Sequence, residues 1–323
     1  MTNELNSPIL VIGAGSIGER HIRVLWSLGY SNIHVFRRQE RPFRDIGNAS
    51  IQVHLTWDEV IKLNPYAAFI CSPTSLHLEQ TLFCIENGIH VFVEKPLTND
   101  LEGIQQISNA LVAKEVYLQV GYMMRFHPLI KKIKEEIFLK NYGGLISIQS
   151  KWAEYLPDWH PWEDYTQSYA AKKELGGGVA LTLSHDIDLA IYLADSSVNS
   201  AHIMKNYKSK LEVDVESGAE IILQFENKIT ANIHLNFYEK QKERFLKLVF
   251  DEASFHFDFF HSSLTIHSIK KSEIIQLKAF DRNDLFVSQT KWFFEQIRQT
   301  NRTEISFEQI KSSEQIIKIC DGK

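Results

Sequence analysis

The sequence predicts an α/β protein: a doubly wound parallel sheet at the N-terminal end, then a second α/β domain with an open, largely antiparallel sheet. Three observations carry this. Six short apolar runs alternate with amphipathic stretches over the first 120 residues, a glycine-rich turn follows the first run, and the hydrophobic period changes after Gly121. At 323 residues the chain is long enough for two domains, given about 150 residues for each. The boundaries read as 1–121 and 122–323, with the last helix free to pack back on the first domain.

Ile9 to Ile12, Ile33 to Phe36, Ile51 to Leu55, Ala67 to Cys71, Ile89 to Val93 and Val116 to Val120 are the strand candidates. A strand covered by helices on both faces needs apolar side chains on both sides, so near-continuous runs point to a parallel sheet. Between them, Thr56-Trp57-Asp58-Glu59 has the form of a capping box. Leu78, Leu82 and Ile85 share a helix face that Asn87-Gly88 would end. Asn99 with Glu102 opens a further helix, whose apolar side holds Ile104, Ile107 and Leu111. Strand and helix alternating this often give a doubly wound sheet.

Beyond Gly121, one helix (Leu129, Ile130, Ile133, Ile137) precedes Gly143-Gly144 and an alternating segment. An aromatic loop from Trp152 to Tyr165 leads to Gly176-Gly177-Gly178 and a helix over about 184–194. Alternation around 199–206, 216–225, 228–239, 244–251 and 254–267 predicts a sheet with one face on helices. Two helices close the chain, one carrying Leu285, Trp292, Phe293 and Ile297, the other Ile310, Ile316 and Ile317.

Composition narrows the function. Apolar residues make up 44% and charged residues 23%, an ordinary globular balance. A net charge of -5 argues against a nucleic-acid partner, which calls for a basic excess. No apolar run reaches the roughly 20 residues of a membrane span, and Glu4 ahead of the first run reads against a secretory signal. A cytoplasmic protein is expected. Cys71, Cys84 and Cys320 form no CxxC pair and read as reduced thiols. His256 and His261 lie among phenylalanines on a half-buried strand, and no metal-ligand spacing is present, so no metal is expected.

Gly13-Ala14-Gly15-Ser16-Ile17-Gly18 follows a strand and opens a helix, the context in which GxGxxG binds a dinucleotide. The first glycine makes the tight turn, the second admits the pyrophosphate, and the third packs helix on strand, while the helix N-terminus offers amides to the phosphates. The second strand ends in Arg37-Arg38, with no carboxylate until Glu40. Two guanidiniums suit a 2′-phosphate, so NADP is favoured over NAD; the alternative is a pair of solvated arginines. Glu94-Lys95-Pro96 comes directly after the fifth strand, and ligands of open α/β sheets collect beyond such strand ends. A lysine held there can exchange a proton with a hydroxyl; a surface Glu–Lys pair is the alternative.

Taken in order, GAGSIG, Cys71-Ser72-Pro73-Thr74-Ser75-Leu76-His77, Glu94-Lys95-Pro96, Gly121-Tyr122-Met123-Met124-Arg125-Phe126 and Gly176-Gly177-Gly178 through His185-Asp186-Ile187-Asp188 resemble the Gfo/Idh/MocA oxidoreductases. The resemblance covers nearly the whole chain. It implies an N-terminal Rossmann domain for the nicotinamide cofactor and a C-terminal α/β domain for substrate, whose sheet forms a homodimer or homotetramer interface. It gives Gly13, Gly15, Ser16, Ile17 and Gly18 the phosphate loop, and Arg37 and Arg38 the discriminating strand end. Cys71, Ser72, Pro73, Thr74 and His77 fall in the loop under the cofactor. Glu94 and Lys95 match the nicotinamide-side pair, with Lys95 at the catalytic lysine position and His185 at the catalytic histidine position. One departure stands out: where relatives carry an aspartate three or four residues before this histidine, the chain has Thr182 and Leu181. Thr182 then either keeps a hydrogen-bonding role in altered chemistry or marks lost turnover.

The aromatic loop offers flat rings beside polar tips, which suits sugars and is equally the make-up of a packed interface; it is similar to a branch acting on nucleotide sugars. Tyr122, Arg125, Tyr155, His160, Tyr165, Lys172 and His185 are the substrate-contact candidates. The expected function is hydride transfer between nicotinamide and a sugar, nucleotide-sugar or polyol carbon, with Lys95 or His185 handling the hydroxyl proton. Two alternatives stay open: a non-catalytic NADP-binding regulator, and a glycosidase- or lyase-like enzyme with transient oxidation.

Overall fold

A computed structural model describes residues 4–39, 41–47 and 51–322. The chain divides into two compact units, one running to Met123 and resuming over Arg282–Ser313, the other made of Met124–Asp281 and Glu314–Lys323.

The first unit is built on strands β1 (Ile9–Ile12), β2 (Ile33–Phe36), β3 (Gln52–His54), β4 (Ala67–Ile70), β5 (His90–Val93) and β6 (Leu118–Val120). All pair in parallel, in the order β3-β2-β1-β4-β5-β6. The order reverses beside β1, so the carboxyl ends of β1 and β4 flank the switch point where such sheets take ligands. The expected strand runs are borne out, and every residue of β1, β2 and β4 is buried. Helices α1 (Ser16–Ser27), α2 (Trp57–Leu63), α3 (His77–Glu86) and α4 (Leu101–Val112) alternate with them. The capping box is present at Thr56 and Glu59. The cap of α4 is Asp100 rather than Asn99: its carboxylate accepts from the Gly103 amide at 2.7 Å. Two Asx residues in tandem precede that helix, and the one whose oxygen reaches the third helical amide takes the position.

The second unit opens with α5 (Pro128–Leu139) and the nine-residue β7 (Leu145–Ala153). Short 3-10 turns carry the chain through the aromatic loop to α6 (Val179–Thr182) and α7 (His185–Ala194). Strands β8 (Val198–Asn206), β9 (Gly218–Phe225), β10 (Thr230–Asn236), β11 (Glu243–Phe250), β12 (Ala253–Asp258), β13 (Ser263–Ser268) and β14 (Ser272–Gln276) then follow. They join β7 in an eight-stranded sheet of order β14-β13-β12-β11-β7-β10-β9-β8. Only β7 and β10 pair in parallel. Alternation is clean: Ala231, Ile233 and Leu235 are buried while Thr230 and Asn232 face outward. The segment expected as one strand over 254–267 is two. Asp258 accepts from the amides of Phe260 and His261 and turns the chain there. The edge strand β14 escapes sequence reading because its face alternates only between half-buried and exposed.

Helix α8 (Asn283–Ile297) belongs to the first unit, and α9 (Arg302–Asp321) ends the chain. Phe293 of α8 meets Phe69 and Phe92 edge-on at 5.4 and 5.8 Å, filling the core beside β4 and β5. Ser306 of α9 accepts from the Leu118 amide at 2.9 Å, at the edge strand β6.

Candidate functional site

At the end of β1 the three glycines of the loop have different reasons to be there. Gly13 has φ +88, and a Cβ on it would lie 3.0 Å from the Ser72 amide nitrogen. A Cβ on Gly18 would stand 2.0 Å from the Gly13 carbonyl oxygen, which forbids any side chain. Gly15 is exposed, and a Cβ there would meet no protein atom within 4 Å. Nothing inside the chain needs a glycine at 15. It caps α1 without a side-chain hydrogen bond, so the bare loop and first-turn amides around Ser16 and Ile17 are shaped for an anion arriving from outside. The residues fit a dinucleotide pyrophosphate.

At the end of β2, Arg37 is half-buried with its guanidinium 4.4 Å over the Phe43 ring, and Arg38 is exposed. Glu40 lies outside the described residues.

Beyond β4, Cys71 is buried, and burial with the nearby Glu94 charge pushes its thiol well up, so it stays protonated. Ser72 donates to Gln80 at 2.6 Å, Thr74 is buried and Pro73 is exposed. His77 is enclosed, its ring nitrogens 2.7 Å from the Pro96 carbonyl oxygen and 2.9 Å from that of Ser72. It is a clasp between the segments that follow β4 and β5. Burial lowers its pKa, outweighing the two carbonyls and Glu94, which raise it; the Lys95 charge adds to the lowering.

Lys95 is half-buried and its peptide to Pro96 is cis. The neighbouring Glu94 carboxylate sits against Gly121 and meets His21 Nε2 of α1 at 2.8 Å. Burial pushes the Glu94 pKa up, but the His21 hydrogen bond and the charges of His21 and Lys95 outweigh it and hold it below the usual range. His21 is packed among Phe69, Phe92 and Phe286. A carboxylate ionised behind the lysine is therefore built into the first unit. Tyr122, just past β6, is almost fully buried.

In the second unit His185 opens α7, 5% exposed, with the Trp152 ring 6.1 Å from its own. Thr182 is buried and its amide donates to the Gly178 carbonyl. Asp186 is fully buried and accepts from Ser150 at 2.5 Å and from Arg244 at 2.6 Å. The Arg244 guanidinium lies between the Trp152 and Phe259 rings, 3.5 and 4.2 Å from their centroids. Burial raises the Asp186 pKa and lowers that of Arg244. Sequence reading singled out His185 and missed this pair, because Asp186 and Arg244 lie 58 residues apart.

The substrate-contact candidates are distributed. Arg125 gives both arms of its guanidinium to buried Asp188, at 2.9 and 2.5 Å, and covers the Tyr192 ring. Tyr155 lies under the Lys240 ammonium. The Tyr165 hydroxyl accepts from the Glu212 amide. His160 packs on exposed Trp162, and the Lys172 carbonyl holds the Gly177 amide.

Two family models fit this chain. Residues 8–122 match the NAD-binding Rossmann fold of an oxidoreductase family, and residues 130–256 match the C-terminal domain of the same family. The chain belongs to the Gfo/Idh/MocA family. Among its curated relatives, the uncharacterized oxidoreductase YrbE of Bacillus subtilis is 28% identical over 230 residues, covering 67% of this chain and 63% of that protein. The scyllo-inositol 2-dehydrogenase (NAD(+)) of the same organism is 31% identical over 139 residues, covering 42% and 36%. The chain thus spans less than two thirds of the length of these relatives. Its fold superposes on levoglucosan dehydrogenase in complex with NADH with a TM-score of 0.81 at 16% identity, covering 98% and 95% of the two chains. Among the described residues, no helix is long and apolar enough to cross a membrane, and no group of three or more His, Cys, Asp and Glu could hold a metal ion.

Proposed function

We propose that this Gfo/Idh/MocA protein is an NAD(P)-dependent dehydrogenase or reductase, NADP-preferring, that acts on a CH–OH group of a sugar, nucleotide sugar or polyol. The observation that carries the reading is Gly15: of the three loop glycines, it alone has no protein neighbour to explain it. The loop Gly13 to Gly18 and the α1 N-terminus hold the pyrophosphate, Arg37 and Arg38 meet the 2′-phosphate, and Ser72, Pro73 and Thr74 lie beside the cofactor, with His77 fixing their backbone. When bound, the nicotinamide supplies the two-electron oxidation or reduction that no side chain can perform. Lys95 Nζ takes the hydroxyl proton when the alcohol is oxidised and returns it when the ketone is reduced. The Glu94 carboxylate, kept ionised by His21, offsets the ammonium charge that forms on Lys95 as it takes the proton. His185 is the second proton-handling group. Thr182, three residues before His185, keeps a hydrogen-bonding role in the altered chemistry, and Tyr122, Arg125, Tyr155, His160, Tyr165 and Lys172 are offered as substrate contacts.

The relatives' printed substrates, an inositol and levoglucosan, support a polyhydroxylated substrate. A panel of sugars and polyols, followed at the reduced-nicotinamide absorbance, tests the reading. Lys95→Ala is expected to abolish turnover while cofactor affinity stays nearly unchanged; full activity in that variant overturns the assignment. Thr182 and Leu181, at the positions where relatives carry aspartate, favour a regulator as the second reading. Binding without chemistry across the panel would establish it. Assembly through the outward face of the eight-stranded sheet, where Ile222 and Phe245 lie among Gln149, Asn232 and Lys247, is part of the proposal and is tested by light scattering on the full chain.

A further inference from the structure

Between positions 37 and 44 the chain carries Arg37, Arg38, Arg41 and Arg44. This segment is fastened at both ends. The Arg37 amide donates to the His54 carbonyl at 3.2 Å, and its guanidinium lies on Phe43. Phe43 and Ile46 pack on the core of the first unit, and Asp45 faces Arg23 of α1 at 3.7 Å. The central fastening is Glu19, the residue directly after Gly18. It is 2% exposed, and its carboxylate accepts from three consecutive amides, Arg44 at 2.8 Å, Asp45 at 2.6 Å and Ile46 at 3.2 Å. A buried carboxylate persists only where its lone pairs are filled, and backbone amides meet that need without a counter-charge. The same helix that opens at the pyrophosphate loop thus anchors the arginine segment.

We propose that Glu19 is a positioning residue that determines cofactor specificity: it holds the arginine segment in place, so preference for NADPH over NADH depends on a side chain that touches neither. This rests on the proposed NADP reading. Ordering a loose segment on binding weakens affinity. A segment already ordered gives the 2′-phosphate its full attraction. NADH lacks that phosphate and gains nothing from the arginines, so its affinity is indifferent to Glu19.

The test is titration of the full-length protein with NADPH and NADH, in the wild type and in Glu19→Gln. The amides are shared between the two carboxylate oxygens, Arg44 on Oε1 and Asp45 and Ile46 on Oε2, so glutamine keeps one acceptor and turns the other into a donor that faces N–H, which weakens the clasp with little change in volume. NADPH binding is expected to weaken about tenfold, with two rotamer-rich side chains to be immobilised anew, while NADH binding stays within about twofold. Equal loss for both cofactors, or an unchanged ratio, overturns the inference. A wild-type preference for NADH instead removes the NADP reading beneath it. Hydrogen exchange on the wild type without cofactor needs no variant. The amides of Arg44, Asp45 and Ile46 are expected to be protected already, and exchange as fast as in an open loop until NADPH is added overturns the proposal.

Discussion

Each unit pairs a glycine cluster with a carboxylate, half-buried Glu94 in the first and buried Asp186 in the second, beside a candidate proton-handling residue, and the two pairs behave differently. In the first, the space at Gly15 is empty of protein. In the second, the triplet is explained from within: a Cβ on Gly177 would stand 2.3 Å from the Tyr169 carbonyl oxygen, and one on Gly178 2.5 Å from Glu216 Oε1. Glu216 also accepts from the Ala180 amide, at the start of α6. The carboxylates diverge as well. Glu94 is held ionised by an imidazole, whereas Asp186, despite Arg244, is pushed toward its neutral form by complete burial. Similar local sequence leaves open space in one place and is filled by packing in the other, and the surroundings of a Cβ tell which.

Substitutions in the two units separate these behaviours. Arg244→Met leaves Asp186 fully buried with only Ser150, among the described residues, to donate to it, and is expected to cost about 3–5 kcal/mol of unfolding free energy in urea titration. A loss below 1 kcal/mol would mean that the pair is dispensable. Gly177→Ala drives a methyl into backbone oxygens that cannot rotate away, for about 2–4 kcal/mol; unchanged stability would undo the packing account of the triplet. Gly15→Ala should change stability by no more than about 1 kcal/mol, yet weaken cofactor binding at least tenfold; unaffected binding would remove the ligand account of the first loop.

The smallest effect is in pH dependence. The folded pKa of Glu94 lies below its ordinary 4.5, so its contribution is present above that value and is lost as pH falls through the folded pKa. Glu94→Gln is expected to be less stable than the wild type at neutral pH, with the gap closing under acid. Asp186 has the opposite sign: its raised folded pKa means that stability is lost as pH rises from the ordinary aspartate value of 3.8. A gap for Glu94→Gln that stays constant down to acid would show that His21 does not hold the carboxylate ionised.

Much of this was legible in the sequence because it is local. The buried runs of β1, β4 and β5, the box at Thr56 and the glycine loop each sit within a few residues of their cause. What escaped depends on partners distant in the chain. His21 reads as one more residue of α1 until Glu94, 73 positions away, is placed against it. Arg125 reads as an exposed contact residue until Asp188 takes up its guanidinium. Glu19 was invisible for the same reason, since backbone amides leave no trace in side-chain pattern. At the sheet edge, β14 was lost because one weakly covered face gives almost no period.

The His77 ring carries a further consequence. Two carbonyl oxygens face it, and neither can donate. A neutral imidazole has a single N–H to offer, so the stretches after β4 and β5 draw on one hydrogen between them. The tautomer decides whether Ser72 or Pro96 receives it, and ring nitrogen-15 shifts would report which holds it.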